Sequence, residues 1–210
     1  MEKEQTAASA RIFKNPILEA LTKTSPALTV TYCSSVIVLF LIAGWKWFTI
    51  PQLLVPFVFV GGILYWTFFE YIMHRYIFHI SSHIKKTERF QYIVHGVHHE
   101  HPRDEERVFM PPVPGILISV ALLGLNYLLI RNYAFAFTAG MVLGYMVYAY
   151  IHYSVHNKRP NPRFRKLWQH HALHHYKYQD KAFGVSSPLW DMVFNTMPPK
   201  ETIPKTSAAK

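Results

Sequence analysis

All 13 histidines of this chain fall within residues 74–101 and 152–175. Scattered core or surface histidines would not leave the rest of a 210-residue chain empty. Ten of them form four groups: His74 and His79 five apart, His95 with His98 and His99, His152 with His156, and His171 with His174 and His175. On an α-helix, residues three and four apart share a face, so each H-x-x-H-H group can point its rings one way, and His152 and His156 lie one turn apart. The His74–His79 spacing is awkward, because a regular helix separates such residues by roughly 140°. It converges only if the helix bends, bulges or ends there. Imidazole is the common protein ligand for zinc, iron, copper and nickel at neutral pH. One zinc takes about four ligands, so ten nitrogens suit two metal ions held close together, with about five imidazoles each. An all-imidazole shell is neutral and leaves the pair strongly cationic, a charge state suited to holding reduced, anionic oxygen.

His83, His101 and His170 stand outside these groups and read as solvated side chains or as supports for the ligands. Carboxylates commonly orient ligand rings. Glu70, one turn before His74, is a candidate, with Asp104 and Asp191; each reads equally well as a cap or a salt-bridge partner.

The elements that must carry these side chains are apolar. Half of the residues are hydrophobic and 16% are charged, and the charges are segregated. None lies between Ala27 and Trp45, Trp47 and Phe69, Val108 and Ile130, or Asn132 and Asn157. Each run reaches the roughly 18 residues that read as a bilayer span. This pattern excludes a disordered chain, a disulfide scaffold and a soluble nucleic-acid module, despite a formal charge of +10. Of 22 Lys and Arg, only Lys46 and Arg131 sit in the short links between paired runs, and all 12 acidic residues lie outside those links. The positive-inside rule places residues 1–26, 70–107 and 158–210 in the cytoplasm. Their basic excess reads either as a surface resting on anionic headgroups or as a topogenic signal alone.

The expected architecture is all-α: an integral membrane protein with four transmembrane helices in two hairpins and a cytosolic helical cap holding the histidines. A cytosolic N-terminal segment covers 1–26, and the membrane domain covers 27–200. Its spans run over about 27–46, 50–73, 112–130 and 132–156, with a cap from 74–107 and 157–200, and 201–210 form a tail. Trp45, Trp47, Tyr127 and Tyr133 fall at membrane interfaces. Pro51 and Pro56 should disturb the start of the second span, and Gly61 and Gly62 permit close approach of a neighbouring helix. The fourth run is long enough to project past the hydrocarbon with its histidines. Cys33, the single cysteine, receives no role.

Three stretches carry a family likeness: H-R-Y-I-F-H at 74–79, H-G-V-H-H-E-H-P-R-D-E-E-R-V-F-M-P-P at 95–112, and H-H-A-L-H-H-Y at 170–176 with F-G-V-S-S-P-L-W-D at 183–191. In these the chain resembles the fatty acid hydroxylase/sterol desaturase superfamily, and in particular the fatty acid 2-hydroxylases of sphingolipid metabolism. The resemblance implies metal ligands at His74, His79, His95, His98, His99, His152, His156, His171, His174 and His175. It implies two metal ions, iron in the working enzyme with zinc able to occupy the sites in purified protein, and O2 as co-substrate. It further implies a bilayer-resident enzyme with its active site on the cytosolic side, in the inner membrane of a bacterium or the endoplasmic reticulum of a eukaryote. Yeast and animal relatives often carry an N-terminal haem-binding cytochrome domain; residues 1–26 are too short for one, so the expected partners are the bilayer, a long-chain acyl lipid and a separate electron-donor protein, with no nucleic acid.

The activity implied is hydroxylation at C2 of a long acyl chain, the N-acyl chain of ceramide-type lipids, by a monooxygenase. A saturated C–H bond is beyond acid–base chemistry, so the metals carry the hard step while the protein positions the chain and excludes water. The alternatives within the superfamily are a sterol C4-methyl oxidase, a carotenoid hydroxylase, an alkylglycerol monooxygenase or a desaturase. A membrane metal transporter is the reading from another class, but transporters place ionisable ligands near midplane, and here the histidines cluster at the ends of the apolar runs.

Overall fold

The small residues of the last apolar run set the packing. The structure, a computed structural model, describes residues 11–48, 50–79, 85–159 and 162–199. His83, residues 1–10 and the expected tail 201–210 lie outside these. The helices are α1 (Pro16–Ala20), α2 (Pro26–Trp47), α3 (Val55–Ile72), α4 (Lys85–Gln91), α5 (Val97–Glu100), α6 (Pro112–Ile130), α7 (Ala134–Asn157), α8 (Arg165–Tyr176) and α9 (Leu189–Val193), and the described residues contain no strand. Three helical segments are long and apolar enough to cross a membrane: Pro26–Trp47, Gln52–Phe78 and the 46-residue Pro112–Asn157. The last is broken by a 3-10 turn at Arg131–Tyr133, with Arg131 at φ 52°. Its halves, α6 and α7, fold back on each other, and Asn126 Nδ2 donates to Thr138 Oγ1 at 3.0 Å between them.

α7 is the spine. It buries Ala136, Thr138, Ala139, Gly140, Met141, Val142, Gly144 and Tyr145 against α2, α3 and α6. A Cβ on Gly140 would lie 2.0 Å from the Phe59 carbonyl oxygen, and one on Gly62 would lie 2.0 Å from that of Phe137. Backbone therefore meets backbone across α3 and α7, as small residues allow in membrane bundles. This corrects one expectation. α2 and α3 do not form a packed hairpin; both pack on α7, because the glycines that permit close approach lie on α3 and α7. A second expectation is also corrected: Pro56 does not disturb α3 but sits in its first turn, where a missing N–H costs nothing. The irregularity falls earlier, in a 3-10 turn at Gln52–Leu54 after Pro51.

The outside of the bundle is apolar, and its inside holds polar groups. Leu39, Phe57, Leu64, Leu117, Leu128 and Leu129 are all exposed, while Thr29, Ser119, Asn126 and Thr138 are buried. Water would penalise that arrangement, and hydrocarbon favours it. α4, α5, α8 and α9 gather beyond the ends of α3 and α7. The N-terminal segment latches onto the stretch between α5 and α6: Arg107 donates to Asp104 at 2.7 Å and to Glu19, and the Thr24 N–H donates to the Glu106 carbonyl at 2.9 Å.

Replacing Gly140 by Val should separate α3 from α7 and lower stability in detergent micelles by about 1–3 kcal/mol, the usual size of an overpacking penalty. Gly124→Ala, where a Cβ meets nothing within 4 Å, should leave stability within about 0.5 kcal/mol of unchanged. Equal melting of the two variants would overturn the close-packed spine.

Candidate metal centre

Each histidine group is aimed by the local shape of its helix. α3 runs on into a π turn, Met73–Phe78, closed by the His79 N–H donating to the His74 carbonyl at 3.1 Å. A turn bonded from i to i+5 brings residues five apart onto one side, which resolves the awkward spacing of His74 and His79. A second π turn, Tyr92–Gly96, leads into α5 and carries His95. α7 continues without a break through His152 and His156, and α8 carries the remaining group.

Ten ring nitrogens, one from each grouped histidine, fall into two sets, and within each set they lie within 4.8 Å of one another. The first pentad is His74, His79, His95, His99 and His174; the second is His98, His152, His156, His171 and His175. The H-x-x-H-H groups do not each point one way. His95 and His99 face the first pentad while His98 faces the second, and His174 parts from His171 and His175 in the same manner. α5 and α8 thus run between the two sets, and the His99 and His175 rings stack at 4.1 Å across the boundary.

The sets fit metal ions. His74 Nε2 and His99 Nε2 lie 3.1 and 3.0 Å from His95 Nε2, His174 Nε2 lies 3.0 Å from His79 Nε2, and His156 Nε2 lies 2.9 Å from His171 Nε2. Two nitrogens about 2.1 Å from a shared ion, at right angles, are about 3 Å apart. In the second pentad both ring nitrogens of His98, His152 and His175 are buried without a hydrogen-bond partner, as is His171 Nδ1. A buried, unpaired polar atom costs about 1–3 kcal/mol, and a coordinated ion would remove that cost for the one nitrogen of each ring that binds it. Ligand rings must be neutral, and burial favours that form at His79, His99 and His174. Burial, reinforced by the neighbouring His174, holds His79 and His99 down to about 3, and burial holds His174 down to about 4.

Ring orientation in the first pentad comes from main-chain carbonyls. His74 Nδ1 donates to the Phe183 carbonyl, and His174 Nδ1 donates to that of Lys181 at 2.7 Å. A donated Nδ1–H leaves Nε2 as the free lone pair. The candidate carboxylates reach the site less directly. Glu70 accepts from the Val185 and Ser186 N–H groups at 2.7 and 2.9 Å and from Ser186 Oγ. Asp191 accepts from the Phe183 and Gly184 N–H groups at 2.9 and 2.8 Å, from Thr196 Oγ1 and from His170 Nε2. Asp104 pairs with Arg107. His170 is buried rather than solvated, because Asp191 takes its proton donor inside the fold. His101 is half-buried.

Sequence reasoning missed Lys181 and Phe183, whose carbonyls do the orienting. The Phe183 ring also lies 5.6–5.7 Å from those of His74, His79 and His174. It missed Tyr148 as well, stacked on His152 at 5.5 Å. The 183–191 stretch carried a signal, but a carbonyl contact leaves no trace in residue type.

An apolar helical bundle whose helix ends converge on two metal-competent histidine pentads defines the scaffold of a membrane metalloprotein. The chain belongs to the fatty acid hydroxylase family, whose family model matches residues 59–196. It is 36% identical over 191 residues to a dihydroceramide fatty acyl 2-hydroxylase of Arabidopsis thaliana, covering 90% of this chain and 80% of that one. It is 37% identical to the fatty acid 2-hydroxylase of Mus musculus, covering 70% of this chain and 41% of the relative. The ceramide very long chain fatty acid hydroxylase of Saccharomyces cerevisiae is 34% identical, with 90% and 49% covered. The chain thus spans about half or less of the mouse and yeast proteins. Among solved structures, full-length Scs7p, in which only the hydroxylase domain is visible, aligns at a TM-score of 0.80 and 33% identity, covering 89% of this chain and 71% of that one.

Protein purified with its metal should carry about two equivalents of ion per chain, and His79→Ala and His156→Ala should each lower this to about one, as elemental analysis would read. Zero ions in either single variant, or two in both, would contradict two separable pentads.

Proposed function

We propose that this chain is an O2-dependent fatty acid 2-hydroxylase acting at C2 of a long acyl chain, the N-acyl chain of a ceramide-type sphingolipid. The observation that carries the reading is the pair of all-histidine pentads lying at the ends of lipid-facing helices. The plant, mouse and yeast relatives support the substrate class. His74, His79, His95, His99 and His174 would hold one ion; His98, His152, His156, His171 and His175 would hold the other. Bound there, two iron ions would supply the reduction of O2, so that one oxygen enters a C–H bond and the other leaves as water, with two electrons and two protons consumed.

The chain's own residues do the rest. Neutral imidazoles leave the full positive charge of the ions at the site. Phe78, packed on His95 at 5.1 Å, Phe183 and Tyr148 wall the rings with apolar surface and exclude water, which protects a C–H oxidant from side reactions. No general base is required, because the proton leaving C2 travels with its electron. The two electrons come from a donor protein.

The topology follows from the same parts. α2, α3, α6 and α7 are four crossings, and α4, α5, α8 and α9 form a cap on the cytosolic face, where the basic segments lie. An acyl lipid then enters sideways from the bilayer with its carbonyl end toward the cap and its tail left in hydrocarbon.

Expression in a ceramide-producing host with a competent reductase should add one oxygen to the N-acyl chains, as lipid mass spectrometry would show. His98→Ala and His174→Ala, one from each pentad, should each abolish the product. Wild-type product levels in both variants would refute the site, and an added oxygen on sterols or carotenoids instead would refute the substrate.

A further inference from the structure

The loop between α8 and α9 is held by two buried carboxylates, and neither touches a grouped histidine. Glu70 and Asp191 are 4% and 0% exposed. Between them they accept every backbone N–H from Phe183 to Ser186. The same loop supplies the two carbonyls, Lys181 and Phe183, that receive His174 Nδ1 and His74 Nδ1. Both of those histidines belong to the first pentad. In the second pentad, by contrast, the Nδ1 atoms of His98, His152, His171 and His175 have no partner. There is no slack in the loop: a Cβ on Gly184 would lie 2.1 Å from the Ser187 carbonyl oxygen and 2.9 Å from Asp191 Oδ2.

We propose that Glu70 and Asp191 are positioning residues for the first metal site only, acting through the 181–186 loop, whose carbonyls they hold where these fix the tautomer and aim of His74 and His174. The proposal rests on the ligand assignment above. A carbonyl cannot donate, so it accepts only from a protonated Nδ1 and thereby commits Nε2 to the metal. A loop free to shift would release both rings to other tautomers and orientations.

The two carboxylates differ in a way that makes the proposal specific. Glu70 takes both backbone N–H groups on Oε1, while its Oε2 faces the Ser186 hydroxyl. Glutamine can reproduce this, with its amide oxygen at the first position and its NH2 donating to the hydroxyl oxygen. Asp191 takes a backbone N–H on each oxygen, Phe183 on Oδ1 and Gly184 on Oδ2. Asparagine cannot, because in either orientation its NH2 faces an N–H.

The test is titration of Co2+ into the metal-stripped full-length protein in detergent, followed by cobalt absorption, in two backgrounds: His156→Ala, which keeps the first pentad, and His79→Ala, which keeps the second. In the first background Asp191→Asn and Glu70→Ala should weaken Co2+ binding by about 10–100-fold, the usual effect of losing an outer-shell support, and Glu70→Gln should stay within about threefold of the parent. In the second background all three should stay within about threefold. Losses of equal size in both backgrounds, or no loss in either, would overturn the positioning role. If a carboxylate variant fails to fold, Ser186→Ala decides: it removes one donor and adds no bulk, so a several-fold loss confined to the first background supports the proposal and an unchanged affinity overturns it. Failure of both parent backgrounds to bind Co2+ would instead bring down the ligand assignment, and the positioning role with it.

Discussion

Eight imidazole nitrogens on five histidines are buried here without a hydrogen-bond partner, and the rest of the structure answers to that fact. At about 1–3 kcal/mol for each unsatisfied atom, the deficit rivals the whole net stability of a domain. Protonation offers no relief at His98 and His171, where burial and crowding of like rings push the pKa well down. A cation where the lone pairs converge would take one nitrogen from each ring, which ties the metal site to the stability of the fold around it.

That demand is met by helices drawn from opposite parts of the sequence, and the lipid-facing bundle is what brings them together. α7 is both the packing spine and the carrier of His152 and His156, so the glycines that seat α3 on α7 also set how His74, on the extension of α3, lies relative to those two rings. The histidine-bearing end is built differently. Its helices are short, and much of its order comes from polar bonds: Arg107 to Asp104 and Glu19 on one side, Glu70 and Asp191 to the 183–186 backbone on the other. Hydrophobic packing governs where lipid is the solvent, and hydrogen-bonded clasps govern beyond it.

Much of this was legible in the residues themselves. The uncharged runs pointed to the long apolar helices, and the ten grouped histidines pointed to a site of two ions with about five imidazoles each. The five-residue gap between His74 and His79 announced an irregular turn before any coordinates. What stayed hidden had physical reasons. The H-x-x-H-H groups split between the two pentads because a helix lying between two centres shows each a different side, and spacing alone does not say how many centres there are. Adjacency in sequence does not make α2 and α3 adjacent in space, because the Gly62 and Gly140 contacts draw α3 onto α7. The Lys181 and Phe183 carbonyls were invisible because every residue has a carbonyl.

The π turn at Met73–Phe78 has a corollary for how this region can vary. Such a turn is an α-helix carrying one surplus residue. Deleting that residue would relax the backbone to ordinary helical geometry, yet it would swing His79 and all that follows by about 100° around the axis. The number of residues between α3 and the following loop is therefore under tighter control than their identity. Exchanges of Tyr76 or Ile77, which point outward, leave the geometry alone, while a single insertion or deletion undoes it.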